Sequence, residues 1–358
     1  MKLLALVSLL IFECNALAVN PDPFNALVWN RDNHLAQNGK VDRADWFEWW
    51  YYKVVVPGTD QAFLFYYGIV NPWDVAQSHP GSKSYVGFGS FGDNVLFEEA
   101  HPVSEFQASY EKTEIRIGAN HATDRAIHGE TRDLKTGLRV RWDMTLELDW
   151  KFNAMGWSTS VPAISNIYWY PAQASAWMSG KITVGEKTYW LKHAPAYQDR
   201  NWGNSLPEWW TWLVSNHFKN SPGTVLAAGG GKPTLLGHAQ WIEGLCIGLR
   251  HEGQEYTFRT PDNDPMSLDV HWGKWEVDAY NKIGERIQIS SYAPAQQFLL
   301  LPFTTPAGKV FNDYEALKGS MRVTLSRWQA LPFPHWKILA DLDSDEAGIE
   351  WGTPTPIQ

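Results

Sequence analysis

The sequence predicts an all-β protein made of antiparallel sheets in two β-rich halves. Segments in which apolar and polar residues alternate with period two recur along the 358-residue chain. Gly, Pro, Asn and Asp separate them at turn-like intervals, as antiparallel sheets and barrels require. Sustained heptad-like periodicity is missing, which argues against a doubly wound α/β fold.

In chain order the strand-like segments are residues 51–56, 62–70, 114–118, 138–148 and 187–191, then 211–218, 255–259, 275–280, 286–290 and 321–327. Residues 152–171 are the least strand-like stretch of the middle and carry Gly156, Pro162 and Pro171. They are expected to join one half at 19–170 to a second at 171–358. Residues 293–308 hold Pro294, Pro302 and Pro306, and are expected to form a lid or a plain excursion.

The chain ahead of the first half reads differently. Lys2 supplies a positive start, residues 3–12 an apolar stretch, and Ala16-Leu17-Ala18 a small-x-small cleavage site, so 1–18 reads as a secretory signal. The apolar stretch falls short of the ~20 residues that span a bilayer. The expected mature protein is exported, periplasmic or secreted. Cleavage removes Cys14 and leaves Cys246 alone, so no internal disulfide is expected and core burial must hold the fold. Cys246 lies in the apolar run 244–249 and is expected to be buried and structural.

Composition narrows the function. The chain has 21 Trp, 14 Tyr and 16 Phe with only 19% charged residues, which excludes disorder. Its formal net charge of -9 argues against a nucleic-acid partner. The number of Trp exceeds what cores normally use. Several short motifs fail on their own chemistry. Gly229-Gly230-Gly231-Lys232 lacks the spacer and the Ser/Thr of a phosphate loop and reads as a turn. His251-Glu-Gly-Gln-Glu255 has Glu where a zinc helix needs its second His, and Gly253 breaks the helix. Asp341-Leu-Asp-Ser-Asp345 opens like a calcium loop, but position 352 is Gly. No Gly-x-Ser-x-Gly elbow is present.

Two dense segments remain, Trp46-Phe-Glu-Trp-Trp-Tyr-Tyr-Lys53 and Ala196-Tyr-Gln-Asp-Arg-Asn-Trp-Gly203, with Glu208-Trp-Trp-Thr-Trp212 after the second. On a strand, Trp46, Glu48, Trp50 and Tyr52 share one face. Likewise Tyr197, Asp199 and Asn201 share a face, and Arg200 points the other way. A carboxyl group set among aromatic rings is what a proton donor at neutral pH requires, because desolvation disfavours its charged form. Holding an Asp protonated at pH 7 takes about 4 kcal/mol of environmental bias. Burial can supply that only if Arg200 does not pair with it. The same residue types also fit two hydrogen-bonded struts beneath aromatic cores.

Phe47-Glu-Trp-Trp-Tyr-Tyr-Lys53, Tyr66-Tyr-Gly-Ile-Val-Asn-Pro72, Ala194-Pro-Ala-Tyr-Gln-Asp-Arg-Asn-Trp-Gly203, Ala227-Ala-Gly-Gly-Gly231 and Ala347-Gly-Ile-Glu-Trp-Gly352 resemble, in the same order, segments of the tocopherol cyclases. The Asp-Arg-Asn-Trp-Gly element is also similar to one in carotenoid 1,2-hydratases and lipocalin-like Diels–Alderases. The resemblance runs over nearly the whole mature chain and implies two lipocalin-like β-barrel or β-sandwich domains around a ligand pocket. It implies a cyclase that protonates the double bond of a prenylated hydroquinone and traps the cation with the phenol oxygen. Water addition by a hydratase, or isoprenoid carriage without reaction, stay open beside it. None of these chemistries needs a cofactor or metal.

By the same resemblance Asp199 is the proton donor, Tyr197 its hydrogen-bonding partner or the acceptor of the phenol proton, and Asn201 orients the acid. Glu48 is a second acid or a strut. Tyr168-Trp169 stands where the family has a His-Trp pair, which leaves a base role at Tyr168 unsupported. Trp50, Tyr52, Trp169, Trp202 and Trp209 are expected to bind substrate, with ring faces able to stabilise a passing cation. The expected partner is a hydrophobic prenylated aromatic or isoprenoid, with peripheral membrane contact left open and no obligate protein partner.

Overall fold

The computed structural model describes residues 27–29, 35–36, 40–41, 43–161, 163–237 and 242–357. The expected signal 1–18, Cys14 and Pro162 lie outside the described residues.

A small hairpin of β1 (Leu35–Ala36) and β2 (Lys40–Val41) precedes the first large sheet. That sheet contains β3 (Phe47–Val55), β4 (Ala62–Val70), β5 (Lys83–Ser90), β6 (Val95–His101), β7 (Phe106–Ala108), β8 (Glu114–Ile117), β9 (Asn120–Thr123), β10 (Ala126–Arg132), β11 (Arg139–Trp150), β12 (Ile167–Val184) and β13 (Lys187–Gly203). The second contains β14 (Trp210–Ser215), β15 (Val225–Gly231), β16 (Gly244–His251), β17 (Gln254–Arg259), β18 (Met266–His271), β19 (Lys274–Tyr280), β20 (Glu285–Tyr292), β21 (Leu299–Thr304), β22 (Val310–Gln329) and β23 (His335–Thr353). Every pairing within both sheets is antiparallel. The first has the order β6-β5-β4-β3-β13-β12-β11-β10-β9-β8-β7. The second runs β17-β16-β15-β14-β23-β22-β20-β19-β18, with β21 also on β22. Both sheets curl into half-barrels, giving the all-β, two-domain lipocalin-like architecture.

Burial explains the two kinds of sequence pattern. β11 alternates buried and exposed positions because one face meets the core and the other meets water. β4 is buried at every position. One of its faces (Phe63, Phe65, Tyr67) fills the first half-barrel with Trp50, Tyr52 and Phe88. Its other face (Ala62, Leu64, Tyr66) packs towards the second sheet with Phe47, Trp49, Trp210 and Trp212. A third core around Leu213, Ile247, Trp275 and Val323 fills the second half-barrel. The molecule is therefore two filled half-barrels with an aromatic layer between them, and that layer holds the cavity described below.

Each of the period-two segments overlaps a strand, with 211–218 running past the end of β14 at Ser215. Three stretches behave differently from expectation. The chain changes sheets between Gly203 and Trp210, and the 170/171 division falls inside β12, where Pro171 sits at an irregularity in the β12–β13 register. Residues 293–308 include strand β21, whose Leu301 and Phe303 enter the inter-sheet layer. Its Pro302 is tolerated because β21 pairs with β22 alone. Gly229, Gly230 and Gly231 form the end of β15, not a turn. A Cβ on Gly229 would stand 3.0 Å from the Trp169 ring, so the missing side chain is what admits that indole.

Candidate active site

β3 and β13 lie side by side, with Asp199 opposite Tyr51, Arg200 opposite Trp50 and Trp202 opposite Glu48. Strand alternation gives this pair two faces with different chemistry. On the barrel side, Arg200 donates to Glu48 and both side chains are wholly buried. The Arg200 guanidinium lies 4.7 Å from the Trp50 ring centre and 5.2 Å from that of Trp202. Glu48 also accepts from Val28 N at 3.0 Å, from Trp29 N, and from Trp46 Nε1 at 2.9 Å.

Asp199 belongs to the other face. Its Oδ2 accepts from Trp169 Nε1 at 2.9 Å and from Tyr197 OH at 2.8 Å. Tyr197 in turn accepts from Trp212 Nε1 at 3.1 Å. Oδ1 is buried and has no hydrogen-bond partner among the described residues. Burial pushes the carboxyl up to about 7, and the two donors to Oδ2 pull against that shift without cancelling it. No guanidinium opposes the shift, because Arg200 is spent on Glu48 across the strand. A carboxylic acid with one oxygen held by neutral donors keeps the other for its proton.

The cavity that Asp199 lines measures about 350 Å³. Trp49, Tyr51, Tyr66 and Trp169 from the first sheet face Trp210, Trp212, Cys246 and Phe303 from the second. The rings brace one another: Trp49 stacks on Phe303 at 5.1 Å, and Trp210 lies 4.4 Å from Phe311. Burial pushes the Cys246 thiol up to about 12, in keeping with a structural cysteine.

Three further acids line the same cavity from β22 and β23. Trp210 Nε1 donates to Glu350 Oε1 at 2.6 Å and to Asp313 Oδ1 at 3.4 Å. Tyr51 OH donates to Glu315. Burial raises all three carboxyls well above their usual range. Beside them Lys53 is fully buried with its Nζ 5.5 Å from the Trp212 ring centre, and burial pulls its pKa down to about 8. Among the described residues, no group of three or more His, Cys, Asp or Glu is placed to hold a metal ion.

The expected site residues thus divide. Asp199, Trp169 and Asn201 line the cavity. Tyr197 stands behind Asp199 as its hydrogen-bonding partner. Asn201 does not touch the acid: its amide accepts from Trp49 Nε1 at 3.0 Å and donates to Tyr168 O at 3.3 Å, fixing the Trp49 ring. Glu48 is a strut, on the wrong face to act as a second acid. Trp50 and Trp202 sandwich Arg200 instead of lining the cavity. Tyr52 is enclosed in the first core, where its OH donates to Thr123 O at 2.8 Å. Trp209 stacks on Trp351 at 5.4 Å outside the cavity. The acids Asp313, Glu315 and Glu350 and the rings of Trp49, Tyr51, Trp210 and Trp212 went unassigned by sequence reasoning. Trp49 and Tyr51 lie in the dense segment 46–53, Trp210 and Trp212 in 208–212 and Glu350 in 347–352, but Asp313 and Glu315 lie in none of these segments.

Fold and site together define a lipocalin-like protein with an aromatic cavity and a buried, protonatable carboxyl group between its two sheets. The tocopherol cyclase-like family model matches residues 44–353, and the chain belongs to that family. It is 24% identical to the chloroplastic tocopherol cyclase of Zea mays, over 86% of this chain and 74% of that protein. A probable chloroplastic tocopherol cyclase of Oryza sativa subsp. japonica is also 24% identical, over 86% and 75%. The crystal structure of CghA shares the fold, with a TM-score of 0.52 at 11% identity over 94% of this chain and 95% of that one.

Proposed function

We propose that the protein is a cyclase that closes a chroman ring on a prenylated hydroquinone, started by proton transfer from Asp199. The observation that carries the reading is the carboxyl of Asp199, held by burial near neutrality with one free oxygen in an aromatic cavity. Family membership supports a cyclase acting on a small hydrophobic prenyl compound.

In this reading Asp199 gives its proton to the less substituted carbon of the prenyl double bond. A C–H bond forms, and positive charge develops on the tertiary carbon. Trp49, Tyr51, Trp169, Trp210 and Trp212 surround that charge with ring faces, each worth up to about 2 kcal/mol when desolvated. The phenol oxygen then closes the C–O bond and loses its proton. The Asp199 carboxylate left by the first step takes up that proton, which restores the acid, whereas burial keeps Glu350 and Asp313 in their protonated forms. One proton enters on carbon and one leaves from oxygen, so substrate and product have the same mass. Export through 1–18 is part of the proposal, and N-terminal sequencing of the mature protein, expected to begin at Val19, checks it.

The test is to incubate the protein with a prenylated hydroquinone and follow the product by mass spectrometry. An isomer of unchanged mass is expected. A gain of one water would make the protein a hydratase, and tight binding without conversion would make it a carrier.

A further inference from the structure

The end of the second half-barrel carries an apolar tip. In the β22–β23 turn Leu331 is 82% exposed and Phe333 78%. Trp328 and Trp336, paired across the two strands, form a collar behind them with ring centres 5.4 Å apart. The neighbouring β19–β20 turn adds Ile283, 77% exposed, and is tied to the collar by Trp328 N donating to Gly284 O at 2.8 Å. Single exposed apolar residues are ordinary, but a cluster at a protruding turn marks an interaction site.

The same end of the sheet leads to the cavity mouth. Trp157 and Asn263 line the cavity and are exposed, so the opening lies there. Trp157 Nε1 donates to Pro261 O at 3.1 Å. Tyr280 N donates to Pro265 O at 2.9 Å, and the Tyr280 ring lies 5.7 Å from that of Trp336. A continuous path of touching residues therefore joins mouth to tip.

Charge selects the partner. The chain as a whole is acidic, with a net charge of -9. Yet residues 328–340 contain no Asp or Glu, and exposed Lys282 and Lys337 flank the tip. Apolar residues at the point, a Trp collar and flanking lysines are the order in which a membrane interface is layered.

We propose that the β22–β23 tip docks the protein on an anionic lipid surface, bringing the mouth of the apolar cavity to the membrane. The inference rests on the cavity being apolar and not on which reaction occurs inside it. Flotation of the full chain with vesicles of phosphatidylcholine, alone or mixed with an equal part of phosphatidylglycerol, tests it. The wild type should float with the mixed vesicles. The double variant Leu331→Ser/Phe333→Ser should partition at least about tenfold less, because two large apolar side chains no longer leave water. Lys282→Glu/Lys337→Glu should lose only the preference for phosphatidylglycerol.

Without any substitution, brominated phospholipid should quench part of the wild-type Trp fluorescence. A wild type that stays at the bottom of the gradient, a tip variant that floats equally well, or an absence of quenching would overturn the proposal. So would a dimer, formed without vesicles, that the tip variant dissolves.

Discussion

Two carboxyl groups on adjacent strands, Glu48 and Asp199, sit on opposite faces of one strand pair and have opposite fates. Both are almost wholly buried, at 0% and 4% exposure. Glu48 is compensated by a guanidinium and by backbone and indole N–H groups, and becomes a strut. Among the described residues Asp199 accepts from an indole and a phenol alone, and burial pushes it up to about 7. Burial alone therefore does not make an acid. The decisive element is Arg200, which strand alternation delivers to Glu48 and withholds from Asp199.

The sharpest test of this contrast is Asp199→Asn. It should keep ligand binding and lower turnover by about 10²–10⁴-fold, the usual contribution of general acid catalysis. Retained conversion would remove Asp199 from the mechanism. Glu48→Gln should act on the other axis. It removes the buried carboxylate to which Arg200 donates and should cost about 3–5 kcal/mol of stability, read by denaturant unfolding. Turnover per folded molecule should change little. If turnover is lost with stability intact, the two residues have been assigned the wrong way round.

Protonation gives the next test. The folded-state pKa of Asp199 is raised from 3.8 to about 7. Its contribution to stability is thus fully present below about pH 4 and is lost as pH rises through about 7. Activity should fall over the upper part of the same range, as the acid loses its proton. Asp199→Asn should flatten part of the stability slope, leaving the part from Asp313, Glu315 and Glu350, whose shifts have the same direction. Trp169→Phe removes a donor that favours the charged form, so the activity limb should move to higher pH. The smallest effect is expected from Gly229→Ala, whose Cβ would press the Trp169 ring at 3.0 Å. A modest rise in KM with kcat nearly unchanged would fit a displaced wall.

Much of the fold was legible in the sequence, because period-two alternation reports one-sided burial directly. At the site, alternation correctly separated Asp199 from Arg200 and grouped Tyr197 with Asp199. It could not say which face of β3 meets a cavity. Choosing the face of Glu48 selected Trp50 and Tyr52, whereas Trp49 and Tyr51, one residue out of phase, are the ones that line it. The acids of β22 and β23 were hidden for another reason. Tyr51 and Glu315 are 264 positions apart, and only the packing of two sheets brings them together. The glycines of β15 read as a turn because the demand for an absent side chain comes from Trp169, far away in sequence.

Infrared difference titration of the wild type against Asp199→Asn measures the central claim most directly. The carbonyl stretch of a protonated Asp199 should persist through the mildly acidic range and disappear with a midpoint near pH 7. A midpoint near pH 4, the value of an ordinary aspartate, would contradict the account.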